Sequence, residues 1–273
     1  MKRLVILMLC AVTVATASAD GMGVIMKAYK SSKEYHAIEV GGPIKVFVEQ
    51  REEGNIILRG SERALENIRL TVEDGCLSIC FDKEFHIRNR DEMIQAEVYM
   101  PNNGQLRDFT AAACGVIDVK PQITAKQVEI EVAAASKIAL SKVVAEQVTI
   151  DVMGAAKASL EAECKRAEVE VAGASKVDIS GSCERAEVEV MGASSVSAEQ
   201  FHCKSLDAEI SGASKASLKG DSAKVAVMGA SKTTIECNEQ LRASSSGAST
   251  LHYTGDCTVS IENNSGASTI KRR

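Results

Sequence analysis

The chain has 273 residues, a formal net charge of -5, no tryptophan, four tyrosines and five phenylalanines. A mildly acidic chain with scattered Lys and Arg lacks the basic patch that nucleic-acid binding requires. So few aromatic side chains are also unusual for a catalytic cleft or for a sugar site built on ring stacking.

The first 19 residues have the pattern of a secretory signal peptide. Lys2 and Arg3 form a positive start, the apolar run from Leu4 to Val14 follows, and Ala17-Ser18-Ala19 is a small-residue cleavage site. We expect cleavage after Ala19, which takes the net charge to -7 by removing Lys2 and Arg3. No later stretch approaches the roughly 20 apolar residues of a membrane helix. The sequence therefore predicts a soluble protein of the periplasm, the cell surface or the medium, without a transmembrane segment.

Residues 20–105 are predicted to form a β region that caps and begins a longer structure. Five stretches alternate or are rich in β-branched residues: 44–48, 56–58, 70–72, 77–81 and 96–100. Turn signals separate them at Gly41-Gly42-Pro43, Glu53-Gly54-Asn55 and Asp74-Gly75. Only the stretch 61–68 could form a helical turn. A small separate β-domain is the alternative for this region.

From residue 106 to residue 273 the chain repeats a Gly-Ala-Ser unit, and a fixed period of this kind indicates a solenoid. Full copies begin at Gly173, Gly192, Gly212, Gly229, Gly247 and Gly266, and weaker copies begin at Ala113, Ala134 and Gly154. The mean spacing is about 19 residues, which predicts nine rungs and a column of roughly 40 Å. One interval shortens to 17 residues, between Gly212 and Gly229, so one loop is expected to be trimmed there.

Residues on both sides of each unit alternate with period two, as strands do. The residues predicted to point inward before the unit are Ile130, Val132, Ile150, Val152, Val169, Val171, Val188, Val190, Ile210, Val225 and Val227. Those after it are Ile138, Leu140, Leu160, Val177, Ile179, Val196, Leu218 and Ile235. The fold class is therefore all-β, a parallel single-stranded β-helix whose stacked rungs share one aliphatic core. Right-handed winding is preferred because parallel crossovers are overwhelmingly right-handed.

The small residues of the unit suit a tight corner, because glycine can adopt φ > 0 and small side chains let neighbouring backbones approach. The last rungs hold Ser244-Ser245-Ser246 and Asn263-Asn264 where earlier rungs hold valine. They are expected to form a solvated terminal cap.

Four segments resemble a known family, "putative auto-transporter adhesin, head GIN domain". They are residues 35–40 with 44–46, residues 75–79, residues 98–101, and the serial Gly-Ala-Ser corners. The resemblance implies an exported β-helical protein of Gram-negative envelopes with a suspected adhesive or glycan-binding role. The family has no agreed catalytic residues, so none can be transferred. This sequence departs from the family corner at Ala113-Cys114-Gly115 and in the alanines 133–135, which affects the regularity of the first rungs.

Eight cysteines remain after removal of the signal, and several fall at one position of the repeat. Cys164, Cys183, Cys203 and Cys257 lie nine residues before a corner glycine, and Cys237 lies ten before. Stacking would align them in a column of small buried thiols. Disulfides between neighbours are the alternative, although parallel Cβ vectors hold the Cβ separations near their upper limit. Cys76 and Cys80 share a strand face about 13 Å apart and cannot bond each other.

Charged residues are also predicted to stack in rows. One acidic row is Glu131, Asp151, Glu170, Glu189 and Glu209; a second is Glu129, Glu168, Glu187 and Asp207; a basic row is Lys137, Lys157, Lys176, Lys215 and Lys232. A cation-binding or charged-ligand face is one interpretation. An ordinary solvated face is the interpretation that we favour, because charged residues usually occupy outward positions.

No catalytic, cofactor or metal site is predicted. Gly-Ala-Ser-Lys lacks the second glycine of a nucleophile elbow and recurs along the whole column. His36, His86, His202 and His252 form no metal-binding pair, and the chain has no C-x-x-C or calcium-binding repeat. Parallel β-helices include polysaccharide-active enzymes, but rungs of about 19 residues leave no room for the long loops that build their clefts.

Three functions therefore remain open from the sequence. An exported, non-catalytic binding or adhesive module of the cell envelope is favoured, with a cell-surface glycan or an envelope protein as its partner. A purely structural envelope protein is second, and a polysaccharide-active enzyme is a distant third that rests on fold analogy. Nothing in the sequence indicates the oligomeric state.

Overall fold

A computed structural model describes residues 10–12, 24–31, 33–50, 55–82 and 97–273. Most of the predicted signal peptide lies outside the described residues, and so do His86 and most of the turn at 53–55. The elements that follow are given for the described residues only.

The described residues form nineteen strands and one short helix. The strands that precede the repeats are β1 (Cys10–Val12), β2 (Val24–Lys30), β3 (Ala37–Gly41), β4 (Lys45–Glu49), β5 (Asn55–Ser61), β6 (Ile68–Glu73), β7 (Cys76–Phe81), β8 (Glu97–Pro101) and β9 (Asp108–Ala112). The helix α1 spans Glu62–Asn67. The repeat strands are β10 (Val116–Val132), β11 (Lys137–Val152), β12 (Lys157–Val171), β13 (Lys176–Val190), β14 (Ser195–Ile210), β15 (Lys215–Val227), β16 (Lys232–Ser245), β17 (Thr250–Thr254), β18 (Thr258–Asn264) and β19 (Thr269–Arg272).

The repeats form the predicted parallel β-solenoid. Each strand from β10 to β15 pairs in parallel with the next strand along the chain. Every residue predicted to point inward around the corners is at most 5% exposed. The two sets meet in one continuous aliphatic core, so the alternation read from the sequence is confirmed. The right-handed winding stays a prediction.

Each corner places its first residue in the left-handed region of backbone space. The corner glycines from Gly154 to Gly266 have φ between 77° and 87°, and Ala134 takes the same role at φ 62°. The corners stack directly, since the amide of Ala193 donates to the carbonyl of Gly173 at 2.7 Å and the same bond recurs from rung to rung. A side chain on Gly192 would place its Cβ 2.5 Å from that carbonyl oxygen. Glycine is therefore required by both the dihedral angle and the space.

The serine of each corner points inward. Ser175, Ser194, Ser214 and Ser231 are at most 2% exposed, and several of these hydroxyls accept from the amide of the preceding corner at 3.3 to 3.4 Å. The hydroxyl of Ser136 has no hydrogen-bond partner among the described residues. The next rung has Ala156 at this position, so the corner does not require a hydroxyl.

The N-terminal strands cap the solenoid in an order that differs from their order in the chain. β3 pairs in parallel with both β7 and β9, while β4 pairs in parallel with both β8 and β10. The rung made of β3 and β4 therefore lies between a later rung, β7 with β8, and the first repeat. Antiparallel strands close the outer end, where β2 pairs with β5 and β6 pairs with β7. The predicted strands and the helical turn of this region are confirmed.

The C-terminal end is more polar than the centre, with one difference from the sequence prediction. Ser245 is not solvated: it is 1% exposed and its hydroxyl lies 2.8 Å from that of Ser249. Asn263 and Asn264 are exposed as expected. The trimmed interval is also visible, because the register of β14 with β15 shifts by three residues between Ser197 and His202.

Candidate functional site

A shallow groove of about 450 Å³ crosses four successive rungs on one side of the column. It runs along the bend that follows the first few residues of β11, β12, β13 and β14. Its polar lining consists of Ser141, Ser159, Glu161, Asp178, Ser180, Ser197, Glu199 and Gln200. Leu140, Leu160 and Ile179 also border it, but each is at most 5% exposed and belongs to the core.

Two β-bulges shape this groove. The register of β11 with β12 shifts between Leu140 and Val143, so β11 holds one extra residue there. The register of β13 with β14 shifts between Asp178 and Ser180, and the extra residue is in β14. Bulges locally bend a strand and often adjoin functional sites. Here they lie at the first and last of the four rungs, so the two regular rungs between them form the centre of the groove.

The groove can bind a neutral or cationic polar ligand by hydrogen bonds repeated along the column. Serine hydroxyls donate and accept, while the carboxylates and Gln200 add acceptors. The Glu161 carboxylate lies 3.4 Å from the Lys142 ammonium, and the Asp178 carboxylate lies 3.0 Å from that of Lys176. These two lysines hold the carboxylates in place. The sequence predicted the inward-pointing Leu140, Leu160 and Ile179 of these rungs, but it did not predict the groove.

A second, larger cavity of about 600 Å³ lies where the N-terminal region meets the first repeat. It is lined by Gly104, Gln105, Arg107, Thr124, Ala125, Lys126 and Gln127. The loop that carries the chain from β8 past the β3–β4 rung to β9 forms one wall. Arg107 and Lys126 are exposed, so this cavity is a wide basic recess open to solvent.

The predicted charge rows are confirmed by the strand register. The first acidic row pairs residue by residue from Glu131 to Glu209, and the lysine row is continuous except for Ser195 between Lys176 and Lys215. Burial raises the pKa of Asp151, and the charges of Glu170, Glu168 and Glu129 raise it further. The Asp151 carboxylate is therefore repelled by these neighbouring carboxylates at neutral pH.

Asp151→Asn should raise the melting temperature at pH 7, because it removes a charge that the folded state disfavours. The pKa of Asp151 is higher in the folded state than in the unfolded state. At pH values between these two pKa values, the folded state therefore binds more protons than the unfolded state does. The stability contributed by this group is present below the unfolded pKa and lost as the pH rises through the folded pKa. Thermal melts of both proteins from pH 3 to pH 7, at low protein concentration, should converge at the acid end. A difference in melting temperature that stays constant from pH 3 to pH 7 would contradict a raised pKa for Asp151.

The cysteine column is confirmed in part. Cys164, Cys183 and Cys203 stand in register on three rungs, and the Sγ atoms of Cys183 and Cys203 are 2.9 Å apart. Gly220 occupies the next position and interrupts the column before Cys237. All eight cysteines among the described side chains are free thiols.

The surroundings of these thiols disfavour ionisation. A hydrogen bond with Cys183 raises the pKa of Cys164, and burial adds to it. For Cys183 the bond with Cys164 lowers the pKa, but the bond with Cys203 and burial outweigh it, so the pKa rises. Burial and Cys257 raise the pKa of Cys237 to about 11. Since the thiolate is the reactive form, the raised pKa values lower the reactivity of Cys164, Cys183 and Cys237 at neutral pH.

We expect the mature protein to carry free thiols. Ellman titration of the denatured, unreduced chain should detect the thiols of Cys164, Cys183 and Cys237, because burial and a raised pKa protect them from oxidation. In the native protein Cys114, which is exposed, should react first, and Cys183 and Cys203 should react last. Absence of free thiol after denaturation would show instead that the column is disulfide-bonded.

The described histidines lie apart from one another, as the sequence indicated. The Nε2 atom of His202 is 2.9 Å from a carboxylate oxygen of Asp221, and that of His36 is 3.8 Å from one of Asp108. His252 is half-buried near the C-terminal end. Within the described ranges, no three His, Cys, Asp or Glu side chains are grouped so as to hold a metal ion. In the same ranges no helix is long and apolar enough to cross a membrane.

Comparison with known proteins gives one family. The family model described as "putative auto-transporter adhesin, head GIN domain" matches residues 34–221. No curated protein matches the sequence.

Solved structures share the fold over most of the chain. A putative adhesin from Parabacteroides merdae ATCC 43184 has a TM-score of 0.72 and 16% identity, covering 92% of this chain and 96% of the other. A putative adhesin from Parabacteroides distasonis ATCC 8503 has a TM-score of 0.70 and 15% identity, covering 92% and 97%. A protein described as a putative lipid binding protein, also from P. distasonis ATCC 8503, has a TM-score of 0.65 and 16% identity, covering 92% and 96%. At these identities the likeness is one of fold.

Proposed function

The chain belongs to the "putative auto-transporter adhesin, head GIN domain" family, and on this premise we propose that it is an exported, non-catalytic surface-binding module whose polar groove binds a cell-surface glycan. The groove across β11 to β14 is the observation that carries the proposal. It is concave, it is lined by hydroxyl and carboxylate groups, and it extends over several rungs.

The chemistry of the groove suits a chain of sugar residues. Sugar hydroxyls can donate to Glu161 and Asp178 and exchange hydrogen bonds with Ser159 and Ser197. Leu160 and Ile179 are only 5% and 4% exposed, so binding depends on these hydrogen bonds and not on packing against the sugar C–H faces. Each contact is weak, so affinity depends on several rungs acting together. The acidic lining favours neutral or amino sugars over acidic ones.

Export supports the same function. The signal peptide predicted from the sequence supports export of a mature chain that begins at Asp20, to the periplasm, the surface or the medium. Amino-terminal sequencing of the chain recovered from a Gram-negative host tests this half of the proposal, and recovery of an intact Met1 terminus would contradict it.

A glycan array probed with the mature chain tests the binding half. We expect binding to a limited set of neutral or amino-sugar glycans. Asp178→Asn together with Glu161→Gln should weaken that binding at least tenfold, because both substitutions remove acceptors while keeping the shape of the groove.

Glu187→Gln with Glu168→Gln is the matched control, since these carboxylates lie on a different face of the same rungs. An array on which the wild type binds no glycan would overturn the proposal in favour of a purely structural protein. If the Asp178→Asn, Glu161→Gln variant binds as the wild type does, the glycan site does not lie in this groove. Release of shortened glycans would contradict the non-catalytic assignment.

A further inference from the structure

Opposite charges lie at equal distances on either side of the Gly-Ala-Ser corner. The carboxylate row stands three residues before the first corner residue, and the lysine row stands three residues after it. Four corners carry both members of the pair: Glu131 with Lys137, Asp151 with Lys157, Glu170 with Lys176, and Glu209 with Lys215. The register aligns both rows along the column axis.

These charges do not neutralise each other within one chain. Among the ion pairs of the described residues none includes a member of this acidic row, and only Lys176 of the lysine row takes part, with Asp178. The two rows flank the corner on opposite sides. The chain therefore has two rows of opposite charge with the same rung period, and of these charged groups only Lys176 has a partner among the ion pairs of the described residues.

The crest of the corner between the two rows is apolar and exposed. Met153, Met191 and Met228 immediately precede corner glycines and are 52%, 37% and 40% exposed. The rungs between them have the small residues Ala172 and Ser211 at this position. The alanine that follows each corner glycine from Gly154 to Gly247 is also exposed. We call this crest, with Met153, Met191 and Met228 as its large side chains, the methionine ridge.

We propose that the methionine ridge and the two charge rows beside it form a self-association surface for a second copy of this chain. Two copies face each other across the ridge, related by a two-fold axis parallel to the solenoid axis. This rotation leaves the position of each rung along the solenoid axis unchanged, so equivalent rungs of the two copies lie side by side. It also exchanges the two sides of the ridge. The lysine row of each copy then faces the acidic row of the other, level by level, and each methionine faces the small alanine side of its partner's corner.

The antiparallel arrangement is disfavoured by the same charges. A two-fold axis perpendicular to the column would place lysines opposite lysines and carboxylates opposite carboxylates. Like charges at close approach are repulsive and act against a wrong orientation. The charge pattern therefore selects a parallel pair.

The contact is small, so the association is weak. Along the column axis, the rungs that carry residues of the two charge rows span five rung steps, or about 24 Å. Across the column, the surface from one charge row to the other is roughly 20 Å wide. The area of roughly 500 Å² per copy is below the 800 Å² or so of a standard stable interface. We expect a dissociation constant in the micromolar range that rises with ionic strength.

Sedimentation velocity of the mature chain from about 1 to 200 µM, at low salt, gives the first readout. We expect a shift from monomer to dimer with concentration. Lys157→Glu with Lys215→Glu makes both rows acidic at two rungs, and Asp151→Lys with Glu209→Lys makes both rows basic at the same two rungs. Each variant alone should stay monomeric, and an equimolar mixture should form a heterodimer detectable by native mass spectrometry.

Lys165→Glu with Lys204→Glu is the control, because it changes the net charge equally on a face away from the ridge and should dimerise like the wild type. Far-UV spectra and thermal melts verify that each variant folds. A wild type that stays monomeric at 200 µM, or two swapped variants that fail to associate when mixed, would overturn the proposal. Glycan binding by the groove does not depend on these outcomes.

Discussion

Val171→Asp should lower the melting temperature more than any outward substitution of the same rung. Val171 is 0% exposed and lies in register between Val152 and Val190, so the new carboxylate would enter the aliphatic column without a partner. A buried unpaired charge must remain uncompensated or take up a proton, and the cost is about 4 kcal/mol or more. Because each rung contacts only its neighbours, the defect weakens two interfaces.

Glu170→Ala is the matched control, one residue away on the outer face. It should change the stability by at most about 0.5 kcal/mol and could raise it, since it removes part of the repulsion on Asp151. Both variants are compared by thermal melts at low protein concentration. Equal losses of stability would show that the inner and outer faces are assigned the wrong way round.

Gly192→Ala should be the second most damaging change. The backbone of Gly192 has φ 80°, and a Cβ there would lie 2.5 Å from the carbonyl oxygen of Gly173. The strained dihedral angle and the forced separation of two rungs together cost about 2–4 kcal/mol. A melt of this variant should show a clear decrease in transition temperature with an unchanged far-UV spectrum at 20 °C.

Ala134→Gly provides the reciprocal control. Ala134 already holds a corner with φ 62°, and glycine would relieve that dihedral strain. We expect a stability equal to the wild type or up to about 1 kcal/mol greater. A loss of stability in Ala134→Gly comparable to that in Gly192→Ala would mean that the corners respond to the substitution itself rather than to backbone strain.

The repeats could be predicted because local pattern and global fold agree in every rung. Val169 and Val171 alternate with Glu168 and Glu170, and the corner at Gly173 fixes where one rung ends. Once the period is known, the register between neighbouring strands follows from it. That register in turn predicts the charge rows and most of the cysteine column. Gly220 interrupts that column because the neighbouring rung is trimmed, which changes the residue that reaches the position.

The N-terminal order could not be predicted in the same way. Nothing local in β3 or β4 indicates that β7 and β8, which come later, pack outside them. That arrangement depends on contacts between residues far apart in the chain. The antiparallel pairing of β2 with β5 is hidden for the same reason, and β2 was not among the predicted strands.

The groove could not be predicted from the sequence because it depends on two single-residue bulges. The intervals between corners around β11 and β14 are 20 residues, against 19 for β12 and β13, and this difference is visible in the sequence. Interval length alone does not show where the extra residue is placed. The alternation of Met153, Met191 and Met228 with small residues was the signal for the methionine ridge, since outward positions rarely repeat a large apolar side chain.

The nearest-neighbour stacking of rungs also determines how the molecule would respond to a pulling force. Its N-terminal strands lie at one end of the column and β19 lies at the other, so tension between the termini acts along the axis. Hydrogen bonds between rungs then break one row at a time, from an end, rather than all together in shear. Each released rung of about 19 residues adds roughly 65 Å of extended chain. A tethered molecule would therefore lengthen in regular low-force steps and limit the load on whatever it holds.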